Sequence, residues 1–248
     1  MNLFIRIISS VIIALSFREL WDAIYQSNTN LATQFDVSSD MMSVYTTVSV
    51  ILYSLLAPSI CYEISSRVAN GQIASDFQKP WDYQFMYLSK CIGNSIYGLI
   101  FVAVPLVILN YPIISAPLTH LNFSSFFYFV ISLVFAMLLS FFVNFIIGLF
   151  AFVFTEVWGI DFIKKTIQEF CSGAIVPLWF FPSSILFVVS WLPFKGIYSI
   201  PLSILIGKIT GESIISNLMF QLIWIVFLSV IGRIGIELAR RKLVISGG

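Results

Sequence analysis

Long apolar stretches alternate with short charged ones along this chain. The longest apolar stretch, residues 126–154, holds no charged residue. It exceeds the roughly 20 residues that cross the hydrocarbon core of a bilayer. Five further apolar segments lie at residues 3–20, 42–62, 88–109, 162–181 and 214–236. Helices satisfy their own backbone groups in lipid, so these segments predict an all-α membrane protein with six transmembrane helices. Arg6 and Arg18 can snorkel to opposite interfaces at the two ends of the first. Pro58 interrupts the second near its end, and Pro105 predicts a kink in the third. The connection 21–41 is polar, with Asp22, Asp36 and Asp40. The stretch 110–122 reads as a short Pro-rich turn, and 155–169 carries Glu156, Asp161, Lys164, Lys165 and Glu169.

The fifth segment is broken. A helix starting at Phe162 reaches Pro177 after roughly 22 Å. Gly173, Pro177, Pro182 and Pro193 then prevent one straight continuation. Residues 182–211 are too apolar for a solvated loop, and the chain must return to the same side to begin the sixth span. A re-entrant pair of short outer helices between spans 5 and 6 meets both demands, and a kinked ordinary helix is the alternative. Irregular backbone at that depth needs protein or a water-filled cavity around it, and such breaks sit beside translocation paths. Gly173, Pro177, Pro182 and Pro193 are therefore the candidate gate residues.

Composition narrows the class. Hydrophobic residues make up 59% and charged residues 10%, with a mean hydropathy of +0.97. Soluble domains carry about a quarter charged residues, so an ordinary soluble fold is excluded. Residues 1–248 read as one transmembrane domain, with no loop long enough for a separate catalytic or nucleotide-binding unit. A net charge of +1 and the lack of a basic stripe exclude a nucleic-acid partner and leave the bilayer. Cys61, Cys91 and Cys171 form no CxxC pair and read as small apolar fillers. The first segment lacks a small-residue cleavage site before Arg18-Glu19 and reads as a retained span.

Lysine and arginine set the orientation. With six spans, Arg6, Arg67, Lys79, Lys90, Lys164, Lys165, Arg233, Arg240, Arg241 and Lys242 share one side, ten of the 13 basic residues. Arg18, Lys195 and Lys208 take the other. The richer side is the cytoplasmic one, so both termini are expected there, in a multi-pass protein of the cell (cytoplasmic) membrane.

Chemistry of other kinds is missing from the pattern. His120 is the sole histidine, and no carboxylate cluster supports a metal site. Gly207-Lys208 lacks the Ser/Thr and the first glycine of a phosphate loop. Asn122-Phe123-Ser124 fits a glycosylation sequon, a pattern frequent by chance. Gly232 and Gly235 do not make a GxxxG face. The six apolar segments show no buried charge run for a proton relay or sodium site, and no polar catalytic pair, so no catalytic residue, cofactor or metal is expected in this chain.

A transporter with neither ion sites nor its own nucleotide site needs a partner that supplies energy. Residues 63–89 suit that contact. Ile64, Val68, Ile73 and Phe77 recur near helical spacing, and Gly71 offers a bend. A short amphipathic helix there lies at the membrane face and presents polar residues to a soluble partner. The alternative is an interfacial loop with no partner.

Motifs across most of the chain point the same way. They are Leu20-Trp21-Asp22-Ala23-Ile24-Tyr25, then Asn70-Gly71-Gln72-Ile73-Ala74 with Lys79-Pro80, and then Ser172-Gly173-Ala174-Ile175-Val176-Pro177-Leu178 with Phe181-Pro182. Leu192-Pro193-Phe194, Ile200-Pro201, Gly207-Lys208, Gln221-Leu222-Ile223-Trp224 and the end 242–248 follow. In this order they resemble the permease subunits of ABC-2 type transporters, the six-span bacterial exporter kind. The resemblance implies pairing with a second permease chain, the same or a sister, and with two cytoplasmic ABC ATPases that hold ATP and Mg. It implies that the first cytoplasmic loop, here with Arg67, Asn70, Gly71, Gln72 and Asp76, couples to the ATPase. It also implies that substrate passes between two permease chains along spans 1, 2 and 5. Such permeases usually begin with an amphipathic elbow helix, whereas only Met1 and Asn2 precede the apolar run here. The expected function is the permease subunit of an ATP-driven exporter, not an enzyme. A passive channel or membrane scaffold would need no ATPase, and an intramembrane enzyme would need a catalytic pair. The 25 phenylalanines would suit a lipid, an amphipathic peptide or a hydrophobic drug.

Overall fold

The computed structural model describes residues 3–28, 30–56, 60–111, 123–154 and 157–246. Pro58, the turn 112–122 with His120 and Asn122, Glu156, and the side chains of Arg6 and Lys242 lie outside the described residues. The described chain is helical, without a strand among its described residues. Among the described residues, four helices are long and apolar enough to cross a membrane: Ser39–Ala69, Tyr83–Leu109, Phe123–Phe152 and Glu212–Arg241. A fifth candidate is the pair Ser183–Trp191 and Pro193–Leu205, bent by 77°.

Helix α1 (Leu3–Ser27) packs along α3 (Ser39–Leu56). It runs seven residues past the expected end at 20, through what reads as a polar connection. Arg18 pairs with Asp22 one turn on at 3.7 Å, while Trp21 and Tyr25 are buried on one face. Those charges keep α1 below the four spans in apolarity. A short α2 (Leu31–Phe35) links it to α3. Beyond α3 the chain continues as α4 (Ile60–Ala69) and α5 (Ile73–Phe77).

Helix α6 (Tyr83–Gly98) starts five residues earlier than the expected 88, because Asp82 caps it by accepting from Phe85 N at 3.0 Å. A π-helical turn, Leu99–Ala103, lies between it and α7 (Val104–Leu109). Pro105 has no N–H to return to the preceding turn, and the widened turn sits beside it.

The uncharged stretch forms α8 (Phe123–Leu149), which touches α3, α4, α6 and the last helix. Leu139, Phe141 and Phe145 are buried at its centre. The Ser140 hydroxyl donates to the Leu56 carbonyl where α3 ends. A Cβ on Gly148 would come within 2.8 Å of Ile64 Cδ1 and 3.3 Å of the Cys61 Cα, so α4 and α8 meet where a side chain does not fit.

Residues 162–181, expected as one span, are not one helix. Helix α9 (Trp158–Cys171) stops at a turn in which Gly173 has φ +80°, a conformation that favours glycine. Pro177 then precedes a 3-10 turn, Leu178–Phe180. Helix α10 (Ser183–Trp191) follows Pro182, and the 3-10 turn Pro193–Gly196 leads into α11 (Ser199–Leu205). Helix α12 (Glu212–Ser246) closes the chain. Only 22% of the apolar window of Tyr83–Leu109, and of Glu212–Arg241, is buried, against 73% for Ser39–Ala69. The first two therefore form an exposed rim beside α3 and α8.

Charges collect at the two ends. Arg18, Asp22 and Ser39 share one, where Asp22 accepts from the Ser39 hydroxyl at 2.5 Å and Lys208 reaches the Phe35 carbonyl. At the other, Arg240 lies 5.2 Å over the Phe77 ring and Arg233 lies 3.6 Å from Asp82.

Candidate functional site

The bend between α4 and α5 is the first candidate. Its four expected apolar positions pack inward: Ile64 and Ile73 are buried, and Val68 and Phe77 half-buried. The Phe77 ring lies 4.9 Å from Tyr83 and 6.0 Å from Phe152, which ties the bend to α6 and to the end of α8. Gly71 turns the chain at φ +68° with open space around its α-carbon. Two side chains then brace the turn. Arg67 Nη2 donates to Asp76 Oδ1 at 2.7 Å while its Nε donates to Oδ2, and Lys79 Nζ donates to Oδ1 at 2.8 Å. The Asp76 carboxylate is fully covered. The Arg67 guanidinium hydrogen-bonded to it holds Asp76 below the usual carboxylate range, although burial opposes the shift.

The five expected coupling residues thus divide. Asn70, Gly71 and Gln72 are exposed at the tip, whereas Asp76 is turned inward and Arg67 is its partner. The structure brings all five to one bend but gives them two tasks, a surface and its brace.

The second candidate surrounds α9. Asp161, Lys164, Lys165 and Glu169 read in the sequence as a connection between spans. They lie on a helix instead, and they line a cavity of about 210 Å³ with Tyr53, Asn144, Gln168 and Tyr198. The charge of α9 therefore lies within the helix packing. It is tolerated by pairing: Lys164 Nζ lies 2.9 Å from Asp161 Oδ1 and donates to Asn144 Oδ1 at 2.7 Å. Asn144 in turn donates to the Ser140 carbonyl at 2.8 Å. The period of α9 puts 161, 164, 165, 168 and 169 on one side. Phe162 and Phe170 are exposed away from it. That helical period was the sequence signal that a loop reading passes over.

The turn after α9 is pinned from α3. Tyr45 Oη donates to the Gly173 carbonyl at 2.7 Å and Ser49 Oγ to the Ala174 carbonyl at 2.6 Å. Ser199 N donates to the Ser172 carbonyl at 2.9 Å. A Cβ at Gly173 would meet Tyr45 Oη at 3.0 Å and the Ser199 Cβ at 3.1 Å. Pro177 and Pro193 are buried at the starts of 3-10 turns, while Pro182 is exposed ahead of α10. A buried amide not singled out as a site in the sequence fixes the next turn. Gln221 Nε2 donates to the Gly196 carbonyl at 2.8 Å and to the Ser132 carbonyl at 3.1 Å, and its Oε1 accepts from Ser132 Oγ at 3.0 Å.

A second cavity of about 480 Å³ adjoins the first, sharing Tyr53 and Glu169 as wall, and opens between α1 and α3. Among the described residues no group of three metal-ligating side chains occurs.

Residues 8–247 match the family model described as ABC-2 family transporter protein, and the chain belongs to that family. It is a multi-pass membrane protein and a component of membrane transport. Neither the comparison with curated proteins nor that with solved structures gives a match.

Proposed function

We propose that this member of the ABC-2 transporter family is the permease subunit of an exporter in the cytoplasmic membrane, driven by ATP hydrolysed in two separate ABC ATPase subunits. The observation that carries the reading is the braced bend at Gly71. It offers Asn70 and Gln72 to solvent at the end of the chain that gathers Arg233, Arg240 and Arg241. A rigid polar tip of this kind transmits a push from a soluble partner to α4, and through Gly148 to α8. The basic end is cytoplasmic, both termini lie there, and the chain crosses six times, with α1 and the broken α9–α11 segment completing the four long spans. Residues 182–211 form a re-entrant pair. In support, Phe180 stacks on Trp21 at 5.0 Å and Lys208 reaches the Phe35 carbonyl, so the segment leaves from and returns to the same end. The exposed apolar side chains of α1 and α9, such as Ile12, Phe162 and Phe170, face a second permease chain, the same or a sister. Substrate passes between the two along α1, α3 and α9. ATP and Mg stay in the partner.

The test is co-purification with the ATPase plus an export assay in the same cells. Gly71→Val places a β-branched side chain at positive φ, costing about 1–2 kcal/mol locally without a clash. It is expected to insert normally and to uncouple ATP hydrolysis from export, as is replacing both Asn70 and Gln72 by Glu. Normal complex formation and normal export in both would overturn the coupling role of the bend. Cysteine labelling of intact cells tests the orientation: a Cys at Asp36 should react and one after Gly248 should not.

A further inference from the structure

We infer that the two cavities on either side of Tyr53 and Glu169 form one binding site for a zwitterionic amphiphile, with Lys165 and Glu169 taking the head group and the space between α1 and α3 taking the tail. The inference names the substrate class of the proposed translocation face, and so rests on that reading.

The four charged side chains of α9 are not equivalent. Asp161 and Lys164 are closed on each other and on Asn144, with side-chain exposures of 9% and 11%. Lys165 and Glu169 are 55% and 31% exposed, and their charged atoms stand 4.0 Å apart. That is outside hydrogen-bonding distance, so the pair is weakly made. Tyr53 Oη donates to Glu169 Oε1 at 3.1 Å and holds the carboxylate in place, while Lys165 Nζ lies 5.7 Å over the Tyr53 ring. An anion anchored by Tyr53 and a cation resting on the same tyrosine therefore face the same space.

The charges select the ligand. The four side chains sum to zero formal charge. An anion drawn to Lys165 meets Glu169, and a cation drawn to Glu169 meets Lys165. A head group bearing both an ammonium and an anionic group replaces the loose pair with two closer ones, and charge-assisted hydrogen bonds are the strong kind. The neighbouring cavity supplies the apolar half. Ile13, Phe17, Val50 and Ile175 line it, and its volume lies in the range of ligand sites. Tyr53 and Glu169 belong to both walls, so a head bound there has its tail directed between α1 and α3.

The experiment uses the full chain in nanodiscs of phosphatidylglycerol, which lacks an ammonium. Fluorescent single-chain probes share one tail and differ in the head: phosphoethanolamine, an α-amino carboxylate, a sulfate, or a primary ammonium. Both zwitterions should bind about tenfold tighter than either singly charged probe, the value of one good charge-assisted bond. Preference between the two zwitterions separates a phospholipid-type from a peptide-type source. Lys165→Gln and Glu169→Gln should each remove the zwitterion preference while leaving the tail-driven binding. The exchange Lys165→Glu with Glu169→Lys, which keeps one charge of each sign, should restore it. Equal binding of all four heads, or a preference unchanged in both single variants, would overturn the site. ATPase co-purification is read separately. A complex without head-group discrimination sinks the site alone, and discrimination without a complex sinks the exporter reading alone.

Discussion

Two ionic clusters in this molecule each set a carboxylate against basic side chains and come to opposite outcomes. At the Gly71 bend, Asp76 is fully covered and held by Arg67 and Lys79 together. On α9, Lys165 and Glu169 stand apart and open to a cavity. The first is a brace, because the covered Asp76 carboxylate has only Arg67 and Lys79 in place of water. The second is available, because its partners lose little by separating. Polar side chains become structural or functional according to how completely their neighbours use them.

The comparison breaks most readily at Asp76. Asp76→Ala is expected to destabilise the purified protein by roughly 2 kcal/mol, since it removes the carboxylate that Arg67 and Lys79 hold across the turn, although water reaches both bases in part. A thermal unfolding midpoint equal to that of the unaltered chain would mean that the bend is not braced there. Next comes the turn that fixes the end of α9. Gly173→Ala should cost about 1–2 kcal/mol, from the positive φ and the approach to Tyr45 Oη. Tyr45→Phe and Gly173→Ala should cost less together than the sum of their separate losses, since the first removes the oxygen that the added methyl meets.

A pH series separates the brace from everything else. The folded pKa of Asp76 is lowered, so its contribution is complete above the unfolded carboxylate value of about 3.9 and is lost as pH falls through the folded value. The unaltered protein should keep its advantage over Asp76→Asn at pH of about 5 to 7 and lose it below about pH 4. An advantage that fades near pH of about 6 would assign it to another group. The smallest effect is expected at the open cluster, where Lys165→Gln should change stability by less than about 0.5 kcal/mol. A loss near that of Asp76→Ala would show that the open pair is a second brace, and the contrast would fail.

The membrane class, the long apolar helices and the bend at Gly71 were legible along the chain. A run such as 126–154 has no other low-energy solution in lipid, and a glycine between two apolar-striped pieces reads as a turn. The family resemblance carried by the scattered Gly and Pro motifs agrees with the family match over residues 8–247. The ends of the helices were less legible. Helix α1 outruns its apolar stretch because Arg18–Asp22 pairing and the burial of Trp21 and Tyr25 extend it. The break at Gly173 was legible from the glycine and the prolines after it, whereas its pinning by Tyr45 and Ser49 from another helix was not.

The sequence by itself determined what must be in the bilayer and where the chain must bend, since hydropathy, proline and glycine act locally. Only the tertiary structure decided which charges are closed off and which stay available. Asp76 faces inward because Arg67, nine positions earlier, meets it across the turn, and Lys164 is closed because Asn144 on α8 accepts from it. Lys165, one residue further along the same helix, stands 4.0 Å from Glu169, outside hydrogen-bonding distance. Hydrogen bonds and ion pairs depend on distances of a few tenths of an ångström between segments far apart in the chain, and no local pattern encodes those.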